Sequence, residues 1–128
     1  MVNAMLLRIH PSGNLASLAP DAAAQVKPGI RVYKEVIREH IPEALPFDPL
    51  GMAGVTNPVK PIALGILSPK RSSVAVWRIE GDADVRIRTI AKRPEIVYPT
   101  DLGVKVNQSG EDCVVTFPRP RMGCILST

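Results

Sequence analysis

The chain contains twelve carboxylates, the side-chain type best suited to acid–base chemistry. Such chemistry needs two carboxyl groups held close together in environments that push their pKa values apart. Here the acids fall on the exposed face of a predicted helix, in predicted turns or at strand ends, where carboxylates are normally solvated. We therefore predict no catalytic residue among ten of these acids, namely Asp21, Glu35, Glu39, Glu43, Glu80, Asp82, Asp84, Asp101, Glu111 and Asp112.

The other reactive side chains form no recognisable motif. His10 and His40 are far apart in the sequence, and neither a Gly-rich phosphate loop nor a G-x-S-x-G turn occurs. The two cysteines cannot by themselves make a four-ligand zinc site. The sequence therefore predicts neither a metal nor a cofactor.

Cys113 and Cys124 lie in what the pattern predicts as the final hairpin. If its turn is centred between Pro118 and Arg119, the two thiols lie opposite each other, whereas a three-residue turn puts them on opposite faces. We expect buried thiols that pack as small hydrophobes, with a cross-strand disulfide as the alternative.

Aromatic residues are scarce, with one Trp, two Tyr and two Phe. Trp77 belongs to an apolar strand and is expected in the core, although it could in principle stack on a sugar ring. A carbohydrate-binding module would need an exposed aromatic residue, and Tyr98 is the only good candidate for it. The net charge of +4 is spread over scattered Lys and Arg residues, and so few aromatics could stack on bases, so the sequence argues against nucleic-acid binding.

Residues 20–45 predict an amphipathic helix. Pro20 suits a first turn, and Arg31 can pair with Glu35 one turn later. Pro28 and Gly29 predict a kink or a break, because a proline inside a helix removes one backbone hydrogen bond. One apolar stripe recurs at spacings of three and four residues, and it consists of Val26, Ile30, Tyr33, Ile37 and Ile41.

After a proline-rich segment, 46–60, which we interpret as an ordered linker, the apolar period changes to two. The alternation in Val85–Arg88 is typical of a half-exposed strand, while SVAVW, apolar on both faces, is typical of a central one. The fold class is therefore mainly β, an antiparallel β-sandwich of about seven strands preceded by a helical segment. The predicted strands are 62–68, 73–79, 83–89, 95–98, 103–107, 112–117 and 122–127.

No apolar run is long enough to span a bilayer, so the sequence predicts no membrane partner. The first residues have neither a basic start nor a small-residue cleavage site, so they do not resemble a signal peptide. Few cysteines and no recognisable export signal together favour a cytoplasmic location.

Three phrases in order resemble the C-terminal part of glycoside hydrolase family 36, the melibiase-type α-galactosidases. They are HPSGNLASLAPDAAAQVKPGIRVYKEVIREHIPEALPFDPLGM, with its typical VYKEVIR core, then PIALGILSPKRSSVAVWRIEGD, and finally EIVYPTDLGVKV. The departure from the family's pattern is Pro28 with Gly29, where a continuous helix would be expected.

The resemblance implies that residues 1–45 are the last strand, loop and helix of a (β/α)8 barrel, and that 61–128 are a C-terminal antiparallel β-sandwich domain. Met5–Ile9 would be the eighth strand. The loop after it, with His10, Ser12 and Gly13, would lie on the substrate side of the intact enzyme, where His10 could bind a sugar hydroxyl.

Enzymes of this family retain anomeric configuration with two aspartates, one of them in a Lys-x-Asp motif, on earlier barrel strands. None of the six lysines here has an aspartate two positions later. The resemblance thus implies the structural end of a carbohydrate-metabolising enzyme, with no catalytic residue of its own. Its partner would be the rest of the barrel, and α-galactosides would be bound only by the intact enzyme. Without the barrel, we expect the helix stripe either to pair with a second copy or to dock on the sandwich. The alternative is a free-standing β-sandwich that binds carbohydrate or protein.

Overall fold

Two antiparallel sheets and one long helix make up most of this computed structural model, which describes residues 2–6, 15–52, 59–88 and 93–128. The prediction of a mainly β chain is confirmed. The strands are β1 (Leu45–Phe47), β2 (Ile62–Leu67), β3 (Ser72–Arg78), β4 (Asp84–Arg88), β5 (Glu95–Tyr98), β6 (Lys105–Ser109), β7 (Asp112–Thr116) and β8 (Met122–Ser127).

The larger sheet has the order β1-β2-β3-β8-β5, and the smaller has the order β4-β7-β6. Each of the seven predicted strands is present, with bounds within about two residues of the prediction among the described positions. β1 was not predicted, because Leu45–Phe47 overlaps the proline-rich segment interpreted as a linker. Pro46 is tolerated there because β1 is an edge strand, which has no neighbour on one side to accept a backbone N–H.

The prediction that the last two strands, β7 and β8, form a hairpin is wrong. These strands belong to different sheets, so the segment around Pro118 and Arg119 crosses from one sheet to the other. Arg121 has a left-handed φ of 58° next to β8, and its N–H donates to the carbonyl of Ile79. Neither predicted turn geometry therefore applies to the cysteines. Cys113 pairs in register with Ile87 on β4, whereas Cys124 pairs with Val76 on β3.

The first core lies between the two sheets, and strand alternation builds it. Val85 and Ile87 of β4 are buried while Arg86 and Arg88 are exposed, as predicted. The residues that fill this layer are Ala63, Val76, Val85, Ile87, Cys113, Val115, Phe117, Met122, Cys124 and Leu126.

The second core lies on the other face of the larger sheet, beneath the helices. Ala75 of β3 and Ile125 of β8 face this layer, which explains why β3 is apolar on both sides, as expected of a central strand. The helices are α1 (Val2–Met5), α2 (Pro20–Val32), a π-helical segment (Tyr33–Ile37) and short 3-10 turns at Leu15–Ser17 and Ile41–Glu43. None of the helices in the described ranges is long and apolar enough to cross a membrane.

α2 begins at Pro20, as predicted, but it does not break at Pro28. The helix continues to Val32, and the irregular part comes after it as the π-helical segment. The extra residue per turn of a π-helix changes the angular register of the residues beyond it. Consistent with this, the ion pairs among the described residues do not include the predicted pair of Arg31 with Glu35.

Only part of the predicted apolar stripe lies on the buried face of the helical layer. Tyr33, Ile37 and Ile41 pack against the larger sheet, but Ile30 lines a groove that faces solvent. Gly29, which was predicted only as a breaker, is buried. The stripe therefore docks on the chain's own sheet through its C-terminal half.

The predicted barrel strand Met5–Ile9 is wrong at its first residue. Val2–Met5 form one short helical turn, and Met5 and Leu6 are buried in the second core. A helical turn lets both side chains reach the outer face of the larger sheet, which an alternating strand could not do. The rest of that predicted strand lies outside the described residues.

Candidate functional site

The predicted substrate-side loop with His10, Ser12 and Gly13 lies outside the described residues. The remaining candidates for a site are the acids, the aromatics, the cysteines and the cavities of the described ranges.

The twelve acids are all described, and every one of them except Asp112 is exposed. Their ion pairs lie at the surface: Arg86 to Asp112 at 3.6 Å, Arg88 to Glu111 at 3.4 Å and Arg121 to Glu80 at 3.7 Å. A general acid needs an environment that raises its pKa, usually burial. None of the acids in these ion pairs is buried.

Tyr98, the candidate for an exposed aromatic residue, is not at the surface. It is 4% exposed, and its hydroxyl donates to the carbonyl of Gln25 in α2 at 3.0 Å. Burial, and secondarily the negative charge of Asp101, raise the pKa of this hydroxyl. Trp77 is half-buried against the second core, with its indole over Gly123. None of the five aromatic residues, all of which are described, is exposed.

The cysteines are buried thiols, as expected. Cys113 and Cys124 lie in the core between the sheets, one from each sheet. Burial, and secondarily the neighbouring Cys113, raise the pKa of Cys124 to about 12. Since the thiolate is the nucleophile, this thiol is suited to packing and not to catalysis.

A polar cavity of about 190 Å³ lies between the end of the helical layer and the turn that joins β2 to β3. Arg71, from that turn, donates through Nη1 to the carbonyl of Val36 at 3.3 Å, which ties the turn to the π-helical segment. Ser68 steadies the turn, since its hydroxyl donates to the carbonyl of Arg71. The cavity is lined by Glu35, Val36, Glu39, His40, Glu43, Lys70 and Arg71.

His40 is the buried member of this cavity, and sequence reasoning did not single it out. It is 9% exposed, and its Nε2 has no hydrogen-bond partner among the described residues. Burial and then the positive charge of Arg71 lower the pKa of His40, against the weaker opposite effect of Glu39. No group of three or more His, Cys, Asp or Glu side chains that could hold a metal ion occurs in the described ranges.

Six exposed large apolar side chains lie on β1, on β2 or in the segment between them. Leu45 is 73% exposed and Met52 is 87% exposed, which is unusual for such side chains. We call the following residues the apolar edge: Leu45, Leu50, Met52, Val59, Ile62 and Leu67. Clustered apolar residues in a proline-rich stretch are the signal from which it could have been predicted.

The pairing of β1 with β2 explains why part of this edge is uncovered. Leu45 lies opposite Leu67, and Phe47 lies opposite Gly65, where its ring covers the space that a side chain would fill. Leu67 and Ala63 share one face of β2, and Ala63 reaches the core between the sheets. The smaller sheet therefore covers one end of this face and leaves Leu45 and Leu67 exposed.

No model of a known protein family, no curated protein and no solved structure matches this chain.

Proposed function

We propose that the chain is a non-catalytic β-domain that supports a larger enzyme by packing its apolar edge against the rest of that protein. On the resemblance of its three phrases, the enzyme would be an α-galactosidase that cleaves terminal α-galactosides with retention. The observation that carries the proposal is the exposed apolar edge, in which Leu45 and Leu67 lie opposite each other on paired strands and are both exposed. Neighbouring exposed apolar side chains are candidates for protein contact.

The distribution of the acids supports the non-catalytic part. A retaining glycosidase needs two carboxyl groups about 5 to 5.5 Å apart, one of which has a raised pKa. No described acid is fully buried, and no lysine precedes an aspartate by two positions. The catalytic pair would therefore come from other parts of the enzyme.

The buried aromatics favour a protein partner over a sugar. A free-standing carbohydrate-binding module needs an aromatic ring at the surface, and Tyr98, the candidate for that role, is buried. A cytoplasmic location remains our prediction, and two buried thiols suit a reducing compartment.

The test of docking uses Leu45→Lys in the full-length protein and in the chain alone. The chain alone should keep its thermal midpoint within about 2 °C, because Leu45 is exposed there. In the full-length protein the lysine would be buried without a partner, and the midpoint should fall by about 4 °C or more. The matched control is Leu102→Lys, since Leu102 is exposed away from the apolar edge. If the two variants lower the thermal midpoint of the full-length protein equally, the apolar edge is not a docking surface.

The test of the enzymatic part is an assay of the chain on a chromogenic α-galactoside. We expect no turnover by the chain alone, whereas the full-length protein should hydrolyse the substrate. Turnover by the purified chain, or none by the full-length protein, would contradict the corresponding half of the proposal.

A further inference from the structure

The exposed face of α2 and of the π-helical segment carries a row of three positive charges. Lys27, Arg31 and Lys34 are all exposed, and they come after one another at spacings of four and three residues, so they lie on one side of the helix. None of them takes part in the ion pairs among the described residues. The row lies opposite the buried positions Gly29 and Ile37.

These three side chains enclose a groove of about 400 Å³. Pro28 and Ile30, both only half-buried, supply its apolar surface, and Glu35 also lines it. We name this feature the basic groove. It lies on the helical layer, whereas the apolar edge lies at β1 and β2, so the two surfaces are distinct.

The arrangement works against the helix that carries it. Like charges three and four residues apart on a helix destabilise it, and the pair of Arg31 with Glu35 that would relieve the repulsion is not formed. No contact within the described part of the chain offsets this repulsion. Such an uncompensated arrangement points to a binding role for the three charges. Three cations around apolar surface complement a ligand that carries several negative charges and one apolar group.

We propose that the basic groove binds an acidic peptide segment of a partner protein, with one apolar side chain of that segment against Pro28 and Ile30. A narrow row of three cations suits an extended or helical acidic peptide. A nucleic acid fits less well, because Glu35 would face its phosphates and no described aromatic side chain is exposed to stack on bases.

The experiment measures the fluorescence anisotropy of a labelled peptide of alternating glutamate and leucine. Binding should weaken by about tenfold or more in Lys27→Gln/Arg31→Gln/Lys34→Gln, and by less than about twofold in the control Lys60→Gln/Lys105→Gln/Arg119→Gln. The control removes the same charge from other exposed positions. Because the groove variant loses like-charge repulsion, its thermal midpoint should be unchanged or higher, which separates lost binding from lost folding.

Two further arms test the kind of ligand. A peptide with glutamine in place of leucine should bind less tightly, since it cannot use the apolar surface. Equal losses in the groove and control variants, or tighter binding of a single-stranded oligonucleotide of equal charge, would overturn the proposal. Self-association of the chain that is abolished in the groove variant would assign the groove to a second copy and would also overturn it.

Discussion

At the scale of single residues, His40 combines burial with a ring nitrogen that has no partner in the described part of the chain. An unsatisfied buried polar atom costs about 1–3 kcal/mol, and the protonated ring would also face the charge of Arg71. Three glutamates and Lys70 line the same cavity, so the balance of charge around the ring depends on both the helical layer and the β2–β3 turn.

We predict that His40 makes the fold sensitive to mild acid. The pKa of His40 in the folded chain lies below its ordinary value of 6.5, so protons bind the unfolded chain more tightly. The stability that depends on the neutral ring is therefore complete above about pH 6.5 and is lost progressively as the pH falls below that value. Urea denaturation at about pH 7.5 and about pH 5.5 measures this loss.

The matched variant is His40→Phe, which keeps a ring but has no titratable group. Its free energy of unfolding should be about 1 kcal/mol higher than that of the natural chain at the upper pH, and it should fall less between the two pH values. Carboxylates titrate mostly below this window. An identical pH dependence in the two proteins would show that His40 is not the sensor.

At the scale of elements, the packing of β1 on β2 depends on Gly65 of β2. The ring of Phe47 occupies the space above Gly65, so a methyl group at that position would collide with it. Pro46 keeps the strand from extending its hydrogen bonding outward, which protects an exposed sheet edge from pairing with other chains.

We predict that Gly65→Ala destabilises the chain by about 1–3 kcal/mol, because the Phe47 ring must leave its place. In a Phe47→Leu background the same substitution should cost less than about 1 kcal/mol, because a leucine side chain can turn away more easily. A double-mutant cycle from urea denaturation gives this coupling. Additive effects of the two substitutions would contradict the contact.

At the scale of the whole molecule, a few polar contacts hold α2 on the larger sheet. Tyr98 of β5 donates to the carbonyl of Gln25, and the amide of Gln25 donates to Asp101 at 3.1 Å. Arg71 provides the corresponding tie at the other end of the helical layer. These contacts fix how the helical layer lies on the larger sheet, which apolar packing alone would specify less sharply.

We predict that Tyr98→Phe lowers the free energy of unfolding by about 0.5–1.5 kcal/mol and speeds amide hydrogen exchange within α2 more than within β3. The control is Tyr33→Phe, because Tyr33 packs in the same core but belongs to the helical layer itself. If both variants speed exchange equally, the hydroxyl of Tyr98 is not what holds the helix.

Local patterns determined the seven strands and the start of α2, because alternation and helical periodicity are properties of neighbouring residues. Val85 and Ile87 could be assigned to a buried face from their spacing alone, as could the start of α2 at Pro20. The exposure of the acids was also predictable, since turn and helix-surface positions are solvated wherever the elements pack.

Tertiary structure decided which elements meet. The alternation of residues predicts a strand but not the strand with which it pairs. The sequence therefore could not predict that β7 and β8 lie in different sheets, with one cysteine in each. Likewise, the three residues of β1 around Pro46 form a strand only because they pair with β2 at the edge of the larger sheet. The pKa of His40 is lowered by burial and by the charge of Arg71, and Tyr98 is a buried donor to the carbonyl of Gln25. Both effects come from residues that are distant in the sequence. Burial depends on such distant contacts, which is why the sequence alone predicted neither.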